Sequence, residues 1–418
     1  MKLNLFNKSF IVTATFILST ILSGCAQAAP EPTQKFEVAI KEGKPSEIVQ
    51  TASGSIQGEN LNGVNFFLGI PYAQSIAGQN RFAPPQPVAP WTDVRQTVRY
   101  ADSCPQPQSL EPTSSTPVDP AFRTPAYVKI GDDCLALNVW APEGADGSLP
   151  VMVWLHGGGW TTGSGSSAIY DGENLASRGD VIVVTINHRL GASGLTDFSR
   201  VLGGEFAKSS NLGIRDIIAA LEWVHGNITA FGGDPNLVTI FGESGGGWKV
   251  NTLLGVPSAR GLFQRAIVES GPLTRFLTPA QADELANAVL KELNVTPETA
   301  DKLNNISAEE IVAAEQRVTA NQSMLSMLWA PGFPTGFWPV IDGDLITDNV
   351  FDAAAAPSSV DVPLMIGTNG TEFTLFMQGD SSAYNLGDLG LRIRASAMFG
   401  LGNASRIIDS YHRDFPDY

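Results

Sequence analysis

Basic residues are in short supply in this 418-residue sequence. Lys and Arg number 26 against 42 Asp and Glu, the formal net charge is −16, and no basic block stands out. Sequence-independent attraction to phosphate backbones is therefore disfavoured, and no nucleic-acid partner is expected. Long apolar runs are lacking too: the stretch Phe10–Leu22 is 13 residues. That is too short to cross a bilayer, and a multi-span membrane protein is excluded. Core-forming material is not lacking, since 43% of residues are hydrophobic and only 16% charged, a balance that excludes disorder or a collagen-like chain as a description of the whole. Cysteine occurs three times and histidine four times, and both small numbers constrain the chemistry.

The amino terminus reads as an address. Lys2 and Lys8 precede Phe10–Leu22 with no acid among them, and the run ends in Leu22-Ser23-Gly24-Cys25. Residues 1–24 are thus expected to be a secretory signal. The tetrapeptide resembles the bacterial lipoprotein cleavage box, which implies that Cys25 becomes the lipidated first residue of an exported, membrane-anchored chain. Several acyl chains on one cysteine would hold firmly, where one would be marginal. The plainer alternative is cleavage after Ala26 or Ala29, with Cys25 discarded. Ala26 is not the aspartate that suggests inner-membrane retention, so the expected location is the outer membrane, or else the cell surface or periplasm. Residues 25–46, mixed in Ala, Pro, Glu and Lys, read as a tether.

An odd cysteine in an exported protein needs its own explanation, and lipidation of Cys25 supplies one. Cys104 and Cys134 remain, 30 residues apart. An oxidising compartment would let them bridge, for about 3–4 kcal/mol in the chain-entropy picture. Two buried free thiols are the other reading.

Residues 47–418 alternate short β-branched runs with helical ones, which predicts an α/β domain with a mostly parallel sheet covered on both faces. Leu149–Leu155, Val181–Asn187 and Leu237–Phe241 read as buried strands, and Ala266–Val268 and Pro363–Ile366 as further ones. Ile214, Ile217, Ile218, Leu221 and Val224 recur at helical spacing, predicting a helix with one face on the sheet. Capping-box patterns at Thr278–Gln281 and Ser307–Glu310 predict a helical insertion over about 278–330.

Gly242-Glu243-Ser244-Gly245-Gly246 directly follows the strand ending at Phe241. A serine on a tight strand-to-helix turn projects its hydroxyl above the sheet, and glycines are needed where side chains would strike neighbouring backbone. Ser244 is accordingly the candidate nucleophile. His156-Gly157-Gly158-Gly159-Trp160 ends another buried strand upstream. Acyl transfer develops an oxyanion that preorganised N–H groups must meet, and a glycine run exposes such groups. Gly158, Gly159 and Gly245 are the candidate donors.

With these two motifs in order, the chain resembles the type-B carboxylesterases, which include the cholinesterases, within the α/β-hydrolases. The likeness runs from about Val49 to the last residue. It includes Phe67-Leu68-Gly69-Ile70-Pro71-Tyr72-Ala73, Asp133-Cys134-Leu135-Ala136-Leu137-Asn138-Val139-Trp140, Phe231-Gly232-Gly233-Asp234-Pro235 and Gly367-Thr368-Asn369-Gly370-Thr371-Glu372. The resemblance implies a Cys104–Cys134 bridge, Glu372 as the acid that orients a histidine, and a structural ion pair for which Arg189 and Asp216 are the candidates. It implies hydrolysis of a small-molecule ester through an acyl-enzyme, with no metal and no organic cofactor. Trp160, Trp248, Phe333 and Trp338 could line an apolar substrate pocket or simply pack in the core.

The base is the missing part. The fold's order is serine, acid, histidine, and only His412 follows Glu372, in a helix-like segment closer to the acid than the family places its histidine. His156 reads as a structural residue of the glycine loop, while His188 and His225 precede the serine. His412 is therefore a weak candidate. Two expectations follow: a fragment or truncated product whose last sheet strands and histidine are absent, or a hydrolytically dead relative that works by binding or adhesion. Oligomeric state is not legible.

Overall fold

Apolar alternation and tight turns in the sequence build a ten-stranded sheet. The computed structural model describes residues 43–107, 129–329, 336–351, 354–374 and 384–416. Residues 1–24, Cys25 and Phe333 lie outside the described residues. The strands are β1 (Lys44–Thr51), β2 (Gly54–Leu61), β3 (Val64–Pro71), β4 (Arg95–Gln96), β5 (Ala136–Pro142), β6 (Leu149–Leu155), β7 (Ile182–Ile186), β8 (Gly233–Glu243), β9 (Arg265–Glu269) and β10 (Leu364–Gly367). Their order is β1-β2-β3-β5-β7-β6-β8-β9-β10, with β4 beside β2. β1 begins at Lys44, inside the segment read as a tether.

The sheet is mixed. β7, β6, β8, β9 and β10 pair in parallel. The expected parallel strands are those, with boundaries within a few residues. β1, β2, β3, β5 and β7 pair antiparallel. The β2–β3 hairpin turns on Asn62-Gly63, both at positive φ (53° and 81°), the conformation that a two-residue hairpin turn matching strand twist requires.

The helices are α1 (Glu173–Ala176), α2 (Gly191–Leu195), α3 (Leu212–Asn227), α4 (Gly245–Leu254), α5 (Pro279–Glu292), α6 (Ala308–Trp329), α7 (Asp388–Phe399) and α8 (Leu401–Asp414). α3 buries the expected face: Ile214, Ile217, Ile218, Leu221 and Val224 join the core formed with Val151, Val153, Leu155, Ile182, Val184 and Ile186. The insertion is helical as expected. Thr278 and Gln281 cap α5 reciprocally, and Ser307 and Glu310 exchange the same pair of bonds before α6. α6 packs on α5 and on the short buried α2. At the other end of the sheet, Leu364, Met365 and Ile366 of β10 are exposed.

Two covalent or ionic ties brace the layer around β5 and β7. Cys104 and Cys134 are bridged, with Cα atoms 5.0 Å apart and both side chains buried. Arg189 and Asp216 form a fully buried pair: Nη2 to Oδ1 at 2.6 Å, Nε to Oδ2 at 2.8 Å, with the Arg189 backbone N–H donating to the same carboxylate at 3.0 Å. A further guanidinium N–H reaches the Ala83 carbonyl at 2.7 Å, so the pair is deeply hydrogen-bonded rather than two surface charges.

Candidate active site

β8 delivers the chain to Ser244 and α4 carries it away. Ser244 sits between them at φ 54°, ψ −121°, a region that non-glycine residues rarely occupy and that costs strain unless the surroundings enforce it. They do: the Ser244 N–H donates to the Glu269 carbonyl at the end of β9 (2.9 Å), and its own carbonyl accepts from Trp248 N–H (3.1 Å). The flanking glycines serve close approach. A Cβ on Gly246 would stand 2.0 Å from the Leu155 carbonyl oxygen, and one on Gly242 would stand 2.6 Å from it.

The glycine loop after β6 lies against this turn. A Cβ built on Gly245 would be 2.4 Å from the Gly159 N, and one on Gly157 would be 3.8 Å from Ser244 Cβ. Every carbonyl from His156 to Trp160 has a partner on the protein side. His156 O and Gly159 O accept from Lys249 Nζ at 2.8 and 2.9 Å. Gly157 O accepts from His156 Nδ1 at 2.9 Å, Gly158 O from Thr162 N–H at 3.0 Å, and Trp160 O from Gly191 N–H at 2.7 Å. By contrast, the N–H groups of Gly158, Gly159 and Gly245 donate no hydrogen bond among the described residues.

Three carboxylates gather at the carboxyl ends of the adjacent parallel strands. Glu372 follows β10 and accepts from Asn369 N–H at 2.6 Å. Hydrogen bonds from the Ser270 hydroxyl, first, and from Asn369 hold its pKa below the usual range. Glu243, beside the serine, is raised, by burial first and then by the charges of Glu372 and Glu269.

The four histidines stand apart from this arrangement. His156 and His188 are buried and stacked, with ring centroids 4.8 Å apart and planes 7° from parallel. Burial, with the Lys249 charge second, lowers His156 to about 3 and His188 well below its ordinary value, so both rings are neutral. His225 ends α3 and His412 ends α8, both exposed. Among the described residues, no imidazole hydrogen-bonds Ser244 or Glu372. The structure thus brings Ser244, Gly158, Gly159, Gly245 and Glu372 to one end of the sheet and leaves His412 without a bond to any of them.

Of the aromatic candidates, Trp160 is buried in the core, 5.5 Å below the Lys249 ammonium. Trp248 borders the loop, 3.4 Å from where a Gly159 Cβ would be, and pairs with Trp338 at 4.7 Å between centroids. Sequence reasoning missed Lys249 and Glu315. The signal for the first was a lone lysine among the apolar residues of α4. Glu315 of α6, also buried, accepts from Ala192 N–H at 2.9 Å, which ties the insertion to α2.

Burial raises the Glu315 carboxyl to about 7. The folded state then keeps a proton that the unfolded state releases above its own pKa of 4.5, so this stabilisation is full below 4.5 and is lost as pH rises through 7. Glu315→Gln is expected to remove that slope, worth up to about 3 kcal/mol between those limits. Urea unfolding at pH 4.5 and pH 8 checks it: the wild-type stability difference between the two should shrink in the variant.

A serine-bearing strand-to-helix turn on a mixed sheet, flanked by a glycine loop and by an acid two strands further on, defines the α/β-hydrolase fold. The chain belongs to the carboxylesterase family, whose sequence profile matches residues 45–389. It is 39% identical over 368 residues to the para-nitrobenzyl esterase of Bacillus subtilis strain 168, covering 88% of this chain and 71% of that protein. To the cholinesterase of Mus musculus it is 35% identical over 350 residues, covering 79% and 54%. A solved PNB esterase superposes with TM-score 0.71 at 36% identity, covering 87% of this chain and 72% of the other. The chain therefore spans only part of the length of each relative.

Proposed function

We propose that this protein hydrolyses carboxylic esters of small molecules through a serine acyl-enzyme. Ser244 attacks the ester carbonyl, and the Gly158, Gly159 and Gly245 amides receive the negative charge that develops on its oxygen. Glu372 orients an imidazole that relays the proton from serine to the leaving alcohol, and water then releases the acid. The observation that carries this reading is the set of three unspent backbone N–H groups beside a serine held at positive φ. The relatives named as esterases support the same reaction class. No metal or organic cofactor enters the scheme. Trp248 and Trp338 beside the loop suit a neutral, moderately apolar ester. The test is Ser244-dependent turnover of p-nitrophenyl butyrate in preference to an anionic hemisuccinate ester, and equal or faster turnover of the anionic ester would refute the substrate class.

A second reading rests on a specific observation: no imidazole bonds Ser244 or Glu372 among the described residues. On that reading the esterase scaffold binds a ligand or partner without turnover. A folded protein with no Ser244-dependent hydrolysis would establish it over the first.

We also propose export and anchoring through lipidated Cys25, a location that the closed Cys104–Cys134 bridge supports. Cys25→Ser should move the protein from the membrane fraction to the soluble one, and unchanged membrane association would contradict the anchor.

A further inference from the structure

Lys249 occupies an unusual place for a lysine. It is fully buried five residues after Ser244, on the helix that begins directly after the candidate nucleophile. Among the described residues it has no carboxylate partner. Its amine is spent on two carbonyls, His156 O at 2.8 Å and Gly159 O at 2.9 Å. Those two carbonyls bracket the glycine run, and between them lie the Gly158 and Gly159 N–H groups. Resting on the esterase reading above, we propose that Lys249 is a positioning residue that pins both ends of the glycine loop and so aims the Gly158 and Gly159 amides at the oxyanion.

The physical argument starts from backbone freedom. A run of three glycines samples φ of either sign at little cost, and Gly158 and Gly159 here adopt φ 87° and 63°. Nothing intrinsic to glycine keeps their peptides from turning over and replacing an N–H with a carbonyl. A carbonyl that is hydrogen-bonded in a buried site cannot turn away without leaving both groups unsatisfied. Lys249 applies that constraint to the two flanking peptides, through His156 O and Gly159 O, while the peptides that carry the Gly158 and Gly159 N–H groups are held through Gly157 O by His156 Nδ1 and through Gly158 O by Thr162 N–H, and Gly191 N–H holds Trp160 O. Because the pin rises from α4, it also fixes the loop relative to Ser244 itself.

Burial lowers the Lys249 pKa to about 7. This does not weaken the pin, because an ammonium has three N–H groups and a neutral amine two, enough for both carbonyls. The stacked rings of His156 and His188 and the indole of Trp160 keep water from taking the lysine's place.

The test compares wild type with Lys249→Met, which preserves length and apolar bulk, and with Lys249→Gln, which keeps a donor on a shorter arm. Two readouts are used. The first is hydrogen exchange at Thr162 and Gly191, whose amides bond loop carbonyls. It should accelerate at least about tenfold in Lys249→Met, and less in Lys249→Gln, while β6 amides are unchanged. The second is kcat for a p-nitrophenyl ester, which should fall by about 10–100-fold with KM unchanged in protein still folded at the assay temperature, below the 10²–10³ of deleting a donor outright. A loss of stability without a change in kcat is what a merely structural lysine would give. Unchanged exchange, or unchanged kcat in an active enzyme, would overturn the proposal. Absence of Ser244-dependent hydrolysis in wild type would sink the esterase reading instead, and the exchange result would still decide the role of Lys249.

Discussion

Replacing Ser244 by alanine is expected to lower hydrolysis of p-nitrophenyl butyrate by about 10⁴-fold or more, with no loss of fold. The substitution removes one oxygen that has no hydrogen-bond partner among the described residues: Ser244 is held there by its backbone, through Glu269 O and Trp248 N–H. Alanine inherits the same positive φ and therefore the same strain, so stability should barely move. Catalysis loses the covalent route entirely, and what remains is whatever the glycine amides and substrate binding provide without a nucleophile. Activity that survives at a hundredth of wild type or better would mean that another surface nucleophile, or a water, performs the reaction. Glu372→Gln is a useful companion, since it preserves the contacts with Asn369 and Ser270 in outline but removes the charge that favours an imidazolium.

Asp216→Ala should be the most damaging substitution for stability, at about 3–5 kcal/mol. Both partners of the pair are fully buried, and Asp216 accepts three hydrogen bonds from Arg189, including its backbone N–H. Removing the carboxylate leaves a buried guanidinium whose remaining bond of ordinary length is to the Ala83 carbonyl. The cost arises mostly from that stranded charge and less from the lost attraction. The double variant Arg189→Met/Asp216→Leu should therefore recover part of the loss, because a buried pair replaced by apolar groups is often close to neutral. Urea denaturation of the three variants measures it. A single variant that costs under about 1 kcal/mol would show that water reaches the guanidinium and that the pair is not as deeply held as its geometry indicates.

The parallel half of the sheet was legible in the sequence because its strands read as short apolar runs rich in β-branched residues; β7 is buried throughout, whereas β6, β8 and β9 bury one face more fully than the other. The antiparallel half was not resolved by the same rule. β1 is mostly exposed, and β2 buries only Gly54, Ile56 and Gly58, so neither reads as an apolar run. Their clearest signal was the Asn62-Gly63 turn, a local cue rather than a hydrophobic one. Ser244 and the glycines were readable because tight backbone approach restricts residue type at those positions. Glu372 was not readable from its surroundings, since a carboxylate in an exposed turn has no pattern of its own, and only the family resemblance singled it out. Lys249 and Glu315 were missed for another reason. A buried charge interrupts hydrophobic periodicity without announcing what it bonds, and its carbonyl or N–H partners leave no trace in side-chain identity. Trp160 resolved to the bland alternative, a core indole, while Trp248 and Trp338 stand at the loop.

The central claim is that Ser244 is a chemically activated nucleophile facing preorganised amide donors. Its most direct measurement is incubation of the folded protein with a fluorophosphonate, followed by intact mass and peptide mapping. Such a reagent reacts by attack of an activated serine on phosphorus, with departure of fluoride, and its phosphoryl oxygen requires the same donors as an ester oxyanion. The expected result is a single adduct on the peptide bearing Ser244, absent in Ser244→Ala and slower to form in Glu372→Gln. A folded wild type that acquires no adduct, or an adduct that persists in Ser244→Ala, would contradict the account.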